Sequence, residues 1–407
     1  MPFPDGLEIL SSLTEHGYTY PEWPFRMCVG TTSPASADRC LKGVLVDRRT
    51  LPGPDYYDPA VFELEKENVF FRSWMLVGLA QQIPNPGDWF TFNIFDESIL
   101  ISRGDDEKIR AFYNVCTHRG SRLREEASGS EKHVFACPYH AWCFSLEGEL
   151  VGTPRVAKHE LDRSKWGLRP VHLEVWQGMI WINMDRETPM SFHDWVLDNN
   201  DNMLTFERFN IDQLQRTRIS EWVVDSNWKI VIENYSECLH CPTVHPELVK
   251  AVPIYKTGWV FEPGRDDGGV NAISGVEGPA GMGDVMLMPA MTGVEGEFVF
   301  GGSLFPNMFM DITGTNIVIS QVVPLTPTTT RVQSWYMFHP DQLDSPGFDP
   351  TDIYAFNDLV TEQDNSVCVR AQHGATSRAY LDGGIYPEKD EFVLDFNKNY
   401  LRHRDAK

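Results

Sequence analysis

Two short stretches of the chain each contain one cysteine and one histidine at close spacing. The first is Cys116-x-His118 in NVCTHRGSRL, and the second is Cys137-x-x-His140 in FACPYHAW. A structural Cys₂His₂ zinc site uses the same ligand types, but it usually takes two cysteines from one loop and two histidines from the other. Here each loop supplies one of each, which favours a [2Fe-2S] cluster with two thiolates on one iron and two imidazoles on the other.

We assign Cys116 and Cys137 to one iron of this cluster, and His118 and His140 to the other. Imidazole ligands raise the potential above that of an all-thiolate cluster and make it sensitive to pH. Cys143 lies three residues past His140 and has no place in this ligand set. We expect it to be a packing residue.

A second candidate centre lies in ENYSECLHCPTVHPEL, which contains His240 and His245. On an unbroken helix, a step of five residues turns the two rings about 140° apart. Pro242 removes one backbone amide and forces the chain out of regular helix after His240. We therefore expect His245 to turn back towards its partner.

Two histidines need a carboxylate to form the facial triad that leaves open positions on Fe(II) for O₂ and substrate. The candidates lie in the C-terminal stretch VTEQDNSVCVRAQHG and just before it. Asp364 is our choice, Glu362 is the nearest rival, and Asp358 ranks third. The spacing alone does not select among the three.

Glu237 lies one helical turn before His240 and so on the same face. The usual alternative is a solvated glutamate, but the neighbouring metal-binding residues favour a role beside the metal. Cys238 and Cys241 flank His240, and the site needs no thiolate. We expect both to be small buried residues.

The chain divides into four parts by composition and periodicity. Residues 1–50 are rich in Pro, Gly and Ser and form an arm, and 51–75 contain an amphipathic helix, DPAVFELEKENVFF, whose charged face we expect to be solvated. Short β-rich runs such as WFTFNIF, SILISR, IRAFYNV and GMIWINM fill 76–185 and predict a small all-β domain.

Residues 186–407 form the second predicted domain. A helix at 225–240 with Asp225 or Ser226 as its cap, strands in NIVISQVVPL and TRVQSWYMFH, and a final helix at 352–372 predict an antiparallel sheet with helices packed on it. The Gly- and Met-rich stretch 264–302 suggests a long loop over a site or, equally, a surface insertion. The predicted fold class is therefore α+β.

The composition excludes some classes of protein. With 407 residues and 42% hydrophobic content, the chain can form two or three globular domains. A net charge of -23 argues against nucleic acid, which binds mainly through lysine and arginine. No run of about 18 apolar residues and no N-terminal secretory pattern is present, so we expect a soluble, cytoplasmic protein without a membrane partner. Eight cysteines in such a chain are unlikely to form a disulfide framework.

Both constellations, in this order, resemble the α subunits of Rieske aromatic-ring-hydroxylating oxygenases. The resemblance covers about residues 45–375 and rests on CTHRG, CPYHAW, ENYSECLHCPTVHPEL, LFPNMFMDI and EQDNSVCVRAQ. It implies a Rieske [2Fe-2S] domain and a helix-grip-like catalytic domain. It also implies the ligand assignments given above, and the step from Asp364 to Gln372 fits the closing motif better than a step from Glu362.

The resemblance further implies an assembly. Members form trimers in which one subunit's cluster feeds the neighbour's iron through an acidic bridging residue, and Glu237 occupies that position. We expect a homotrimer, with a hexamer of trimers or a complex with a β subunit as alternatives. A separate reductase or ferredoxin would supply electrons from NAD(P)H, since the chain has no GxGxxG motif in a βαβ setting.

The sequence around Glu237 looks most like the sequences of the choline, glycine betaine, stachydrine and carnitine oxygenase branch. Members of that branch hydroxylate or demethylate at a carbon beside nitrogen. A quaternary amine would need an aromatic box, which 12 Trp, 13 Tyr and 24 Phe permit. The alternative is ring hydroxylation in aromatic hydrocarbon catabolism, which Met282, Met286, Met288 and Met291 slightly favour. An electron carrier without oxygenase activity and a zinc-stabilised binding protein are alternatives of other classes.

Overall fold

The computed structural model describes residues 48–406, except 158, 188, 262–268, 273–286 and 292–297. All of the predicted arm at 1–50 except residues 48–50, and most of the Gly- and Met-rich stretch, with Met282 and Met286, lie outside the described residues. Met288 and Met291 are buried in the main hydrophobic core. Among the described residues, no helix has the length and apolar character needed to span a membrane.

Ten antiparallel strands build the first domain, and the all-β prediction is confirmed. Their bounds are β1 Met75–Leu79, β2 Asp88–Ile94, β3 Glu97–Arg103, β4 Ile109–Tyr113, β5 Ser128–Ser130, β6 Val134–Ala136, β7 Cys143–Ser145, β8 Leu150–Gly152, β9 Pro170–Trp176 and β10 Met179–Asn183. Seven form one sheet in the order β1-β10-β9-β4-β3-β2-β5, and β6, β7 and β8 form a smaller one. The domain boundaries at 76 and 185 stay a prediction.

A six-stranded antiparallel sheet forms the centre of the second domain. Its strands are β11 Gln215–Val224, β12 Gly269–Asn271, β13 Phe298–Leu304, β14 Met308–Ile312, β15 Ile317–Thr326 and β16 Thr329–Phe338, in the order β11-β16-β15-β14-β13-β12. The α-helices of the described chain are α1 Pro59–Leu64, α2 Phe192–Asn200, α3 Asn202–Thr205, α4 Trp228–Tyr235, α5 Cys241–Val244, α6 Leu248–Ala251, α7 Pro340–Leu343, α8 Thr351–Ala375 and α9 Glu391–Arg404. The predicted strands are β15 and β16, and the predicted final helix is α8.

Helix α8 is fastened to one face of this sheet through Asp358. The Asp358 carboxylate accepts hydrogen bonds from Arg218 (2.5 Å) and Ser220 (3.1 Å) of β11 and from the hydroxyl of Tyr336 (3.0 Å) of β16. A charge-assisted contact of this kind is stronger than a neutral hydrogen bond. The helix-on-sheet arrangement that the sequence predicts is therefore held by side chains as well as by packing.

The helix predicted to reach His240 is shorter than expected. It begins with Asn227 as its cap, whose side chain accepts a backbone N–H of the first turn, and it ends at Tyr235. Beyond it, the Glu237 carboxylate accepts the backbone N–H of His240 (3.3 Å), a local alternative to helical hydrogen bonds. Pro242 lies in the first turn of α5, where no amide is needed, so it begins a helix instead of ending one.

The helical segment before the β-rich domain is α1 followed by a π-helical turn, Glu65–Phe70. Glu65 is buried, whereas the sequence predicted a solvated charged face. Its carboxylate forms an ion pair with Lys229 and accepts hydrogen bonds from the Trp228 indole (2.9 Å) and the Tyr400 hydroxyl (2.7 Å). These bonds offset the cost of removing two charges from water. They join three parts of the chain that are distant in sequence.

Candidate metal centres

The two Cys/His loops have the same backbone construction. The Cys116 N–H donates to the Ser121 carbonyl (2.8 Å) and the Gly120 N–H to the Cys116 carbonyl (3.0 Å). In the second loop, the Ala141 N–H donates to the Cys137 carbonyl (3.0 Å) and the Cys137 N–H donates to the Trp142 carbonyl (2.8 Å). Both turns close on a residue with positive φ, 70° at Gly120 and 58° at Ala141. The matching turns bring the His118 and His140 rings to a centroid distance of 4.7 Å.

The cysteines of these loops point inwards and the histidines point outwards. Cys116 and Cys137 are 2% and 3% exposed, His140 is half-buried, and His118 is exposed and stacked on Trp142 at 4.4 Å. Burial raises the pKa of Cys116 to about 11, and the adjacent Cys137 adds to the effect. Two desolvated thiols side by side are typical of a metal site, where the cation stabilises the thiolates.

One polar atom at this site is buried without a partner. Among the described residues, none forms a hydrogen bond with His140 Nδ1. A buried, unpaired ring nitrogen is costly unless it binds something, and a metal bond is one such use. The four side chains therefore fit a cluster held by two cysteines and two histidines. Their geometry alone fits a single zinc ion as well.

The second constellation converges on one point. One ligand atom each from His240, His245 and Asp364 lies within 4.8 Å of the others. Asp364 Oδ1 is 2.9 Å from His245 Nε2 and 3.3 Å from His240 Nε2. His240 and His245 lie at the two ends of α5, and their rings are 5.1 Å apart with an interplanar angle of 76°. The structure thus brings together the two histidines and the carboxylate of a facial triad.

The two rival carboxylates lie elsewhere on α8. Asp358 is occupied by Arg218 and by the hydroxyls of β11 and β16. Glu362 is exposed and lines a shallow surface pocket with Arg370 and His373. Of the three candidates, only Asp364 faces the histidines. Its assignment as an iron ligand stays a prediction.

Each of the two histidines is oriented through its Nδ1 atom. His240 Nδ1 is 2.5 Å from Glu237 Oε1, and His245 Nδ1 is 2.8 Å from Gln363 Oε1. An acceptor at Nδ1 holds the ring proton there and leaves the Nε2 lone pair free for a metal. Both Nε2 atoms face Asp364, so a metal bound there would find each ring already supported at Nδ1 in the tautomer required of a ligand.

Opposing effects act on the charges at this site. Burial lowers the pKa of His240, but hydrogen bonds and charge from Asp364 and Glu237 outweigh it and raise the pKa to about 9. Burial raises the pKa of Asp364, whereas its contacts with the two histidines lower it, and the second effect is larger. A cation bound here replaces the proton that the carboxylates hold on His240, as expected of a metal ligand set.

Sequence reasoning missed several residues that support the triad. Gln363 is adjacent to Asp364, and no spacing rule distinguishes it from its neighbours. Gln372, which is buried, accepts the Asn227 N–H (2.8 Å) and donates to the Tyr56 carbonyl (3.2 Å). It ties the C-terminal half of α8 to the start of α4, and its place in the closing motif was the available signal.

Cys238 and Cys241 are buried, as predicted, but they are joined in a disulfide. This corrects the expectation that they are separate packing residues. The chain turns sharply between them because Glu237 accepts the backbone N–H groups that follow it, and this turn brings their Cα atoms to 4.9 Å. Separations of this size suit a disulfide. Cys116, Cys137, Cys143 and Cys368 are free thiols.

Models of two domain families match the chain. The Rieske [2Fe-2S] domain matches residues 73–172, and the catalytic domain of ring-hydroxylating α subunits matches residues 191–406. The first match decides for a [2Fe-2S] cluster over zinc. The second decides against a protein that only carries electrons.

Named relatives agree with both matches. The chain is 31% identical to the glycine betaine monooxygenase oxygenase subunit of Chromohalobacter salexigens over 380 residues, which span 85% of this chain and 84% of the relative. It is 38% identical to the carnitine monooxygenase oxygenase subunit of Escherichia coli K12 over 208 residues, 50% of this chain and 54% of the relative.

A solved structure shares the fold. The structure of a quaternary ammonium Rieske monooxygenase aligns with a TM-score of 0.74 at 24% identity, over 88% of this chain and 96% of that one. The chain belongs to the Rieske ring-hydroxylating oxygenase family and is the oxygenase component, an oxidoreductase that carries a [2Fe-2S] cluster and a mononuclear iron.

Proposed function

We propose that this chain uses O₂, with electrons from NAD(P)H through a separate reductase or ferredoxin, to hydroxylate or N-demethylate a small quaternary or methylated amine. The supporting observation is the 31% identity to a glycine betaine monooxygenase subunit, which extends over 85% of the chain and so spans both metal centres. Catabolism of aromatic hydrocarbons is a weaker proposal, because the relatives described above are named for amines.

In this proposal the first centre stores the incoming electron. The buried Cys116 and Cys137 would hold one iron of the cluster, and the less buried His118 and His140 would hold the other. The orphaned Nδ1 of His140 and the paired, desolvated thiols support this ligand set. His118 is exposed, so a partner protein could approach the cluster on this side.

At the second centre, His240, His245 and Asp364 hold the mononuclear iron. When bound, the two metal groups supply one-electron transfer and an Fe(II) position where O₂ is activated beside the substrate. Glu237 and Gln363 keep the two imidazoles in the required tautomer. The surrounding protein would position the substrate, and the bound metal groups would supply the oxidation chemistry.

We further propose a homotrimer in which electrons cross between subunits through Glu237, with larger assemblies or a β subunit as alternatives. Glu237 touches the iron-side ring of His240 within its own chain. The neighbouring Leu239 is 40% exposed, and the cluster loop carries an exposed Tyr139. Apolar side chains exposed beside both centres suit a contact between copies of the chain.

Metal analysis tests the two centres. Anaerobically purified protein should contain about three irons and two acid-labile sulfides per chain. Asp364→Ala should lose the mononuclear iron and keep the cluster, whereas Glu362→Gln, an exposed neighbour on the same helix, should keep all three irons. An Asp364→Ala protein with full iron content would remove Asp364 from the ligand set.

Turnover tests the substrate class. With a surrogate reductase, we expect NADH and O₂ consumption that depends on a quaternary or methylated amine, followed by mass analysis of the product. Glycine betaine, choline, carnitine and stachydrine form the first panel, and aromatic acids and hydrocarbons form the second. Coupled turnover of the second panel alone would replace the amine proposal with ring hydroxylation.

A further inference from the structure

Asp311 is a carboxylate on the face of the central sheet that α8 covers. It lies in β14 between Met310 and Ile312, which are fully buried on the opposite face. Its register partner on β15 is Val318, which packs against Ile353 at the start of α8. The side chain therefore points into the layer between sheet and helices where the iron ligands lie.

Among the described residues, no cationic side chain pairs with this carboxylate. The Tyr235 hydroxyl lies 3.1 Å from Asp311 Oδ1, but it is only 2.6 Å from the Met310 carbonyl, so its single proton is shared. Within the part of the chain that the structure describes, no lysine, arginine or histidine forms an ion pair with Asp311. Burial raises the pKa of Asp311 to about 6, and the nearby Asp364 contributes to the rise. Asp311 is half-buried, and an anion partly removed from water without a counter-ion is unfavourable.

Aromatic rings stand beside it. The Phe309 ring stacks on Tyr235 with centroids 4.2 Å apart, and both side chains are half-buried. Phe309 is two residues before Asp311 and so projects from the same face of the strand. Tyr235 closes α4, directly before the loop that carries Glu237 and His240.

A glycine keeps the space next to Asp311 open. Gly301 pairs with Asp311 across β13 and β14. A Cβ atom at this position would lie 3.0 Å from the Tyr235 hydroxyl and 3.7 Å from Asp311 Oδ1. Gly301 is exposed although its strand is an inner one of the sheet. The exposed glycine and the half-buried side chains around it leave the Asp311 carboxylate accessible beside the stacked rings of Tyr235 and Phe309.

We propose that Asp311 is the counter-ion of the substrate's ammonium group, with the uncovered surface of the stacked Tyr235 and Phe309 rings as the aromatic surface against which the N-methyl groups pack. A quaternary ammonium donates no conventional hydrogen bond, so charge and aromatic faces are what recognise it. With nitrogen held at the sheet, an adjacent carbon is directed towards His240, His245 and Asp364. This inference rests on the proposed amine oxygenase function and assigns the residues that make the site select a cation.

The test compares each cation with its neutral carbon isostere. The pairs are choline with 3,3-dimethyl-1-butanol and glycine betaine with 3,3-dimethylbutanoate, in which carbon replaces the charged nitrogen. In Asp311→Asn we expect the KM of the cation to rise about 30-fold, while the Ki of the isostere changes less than about 3-fold. General damage to the site would weaken both ligands together. Iron and sulfide contents are measured on the same preparations.

Two further variants complete the test. Glu362→Gln removes a carboxylate that is exposed and two residues from Asp364, and it should leave the discrimination unchanged. Phe309→Leu keeps a large apolar side chain but removes the aromatic ring, and it should raise the cation's KM about 5-fold with little effect on the isostere. If Asp311→Asn does not fold, Phe309→Leu still tests the proposed ammonium site.

The outcomes separate the two proposals. If the wild-type protein turns over no cationic amine, the proposed function fails and this inference fails with it. The other outcome is that the wild-type protein turns over an amine, and that Asp311→Asn and Phe309→Leu prefer the cation over its neutral isostere as strongly as the wild type does. In that case only this inference is overturned.

Discussion

At the scale of single residues, one hydrogen bond at Nδ1 orients each of the two proposed iron ligands, His240 and His245. Glu237 does this for His240, and the neutral amide of Gln363 does it for His245. An anionic acceptor makes the ring a stronger donor to metal than a neutral one does. The two histidines are therefore unequal ligands, with the stronger one attached to the proposed electron route.

Replacing Glu237 separates its two roles. Glu237→Gln keeps an oxygen acceptor for His240 Nδ1, so we expect full iron and cluster contents but a large loss of electron delivery. Single-turnover mixing of the reduced protein with O₂ and substrate measures this as product formed per oxidised cluster. Glu237→Ala also removes the acceptor, and iron affinity should fall about 10- to 100-fold. Normal product formation in Glu237→Gln would count against the bridge.

The binding of a cation should depend on pH through Asp311. Burial raises the pKa of the Asp311 carboxyl to about 6, so we expect an anion at pH 7.5 that becomes neutral as the pH falls. The groups that face it are Tyr235 from α4, Tyr255, and Asp364 from α8, and burial raises the pKa of both tyrosines, which stay neutral. We expect the KM of a quaternary amine to rise below a pH of about 6 in the wild type. Asp311→Asn should lack this additional rise, and parallel pH profiles would contradict the assignment.

The ligand types and their order could be predicted from the sequence, because metal chemistry restricts which side chains occur together. Asp364 could be preferred to Glu362 only through a family motif, since both lie on one helix and spacing does not fix their direction. Gln363 and Asp311 were not predictable. Each acts through a contact across a large sequence distance, and an isolated glutamine or aspartate carries no local pattern.

At the scale of elements, the buried pair of Glu65 and Lys229 joins the π-helical turn, α4 and α9. The sequence predicted a helical segment here and placed its charges in solvent. Periodicity marks an apolar face, but it does not show that a glutamate on the other face meets a lysine from a distant helix. The same limit explains the error at the end of α4, where a side-chain acceptor replaced helical bonds.

A double-mutant cycle measures this pair. Lys229→Met should leave an uncompensated anion in the core and destabilise the protein by about 3–5 kcal/mol, and Glu65→Gln should destabilise it as well. The double variant should be markedly more stable than the sum of the single effects predicts. Denaturant unfolding of metal-loaded protein, followed by fluorescence, gives the three values. Additive effects would show that the two side chains do not depend on each other.

At the scale of the whole molecule, the proposed assembly places the two halves of one reaction in different chains. The sequence supports this only through family resemblance, because neither composition nor periodicity encodes a trimer. The net charge of -23 keeps copies apart in general, so a contact between them needs local apolar surface. Tyr139 and Leu239 supply such surface beside the two centres.

Mixed assemblies test this arrangement. Cys116→Ser should lack the cluster and Asp364→Ala should lack the mononuclear iron, so each variant alone should be inactive. When the two are co-expressed with different tags and purified by both, neighbouring subunits should restore activity to a substantial fraction of the wild-type level. Mixing the two proteins after separate purification is the control. A tandem-purified but inactive assembly would show that electrons stay within one chain.

Helix α8 is held at Asp358 by the sheet and at Gln372 by α4, and Asp364 lies between these two anchors. Any ion that binds Asp364 only in this geometry stabilises the folded chain by mass action, so metal affinity and resistance to unfolding are thermodynamically linked. Weakening either anchor should therefore release iron during dialysis before any loss of secondary structure is detected. The amount of iron retained therefore reports how firmly the two anchors hold helix α8 in its position.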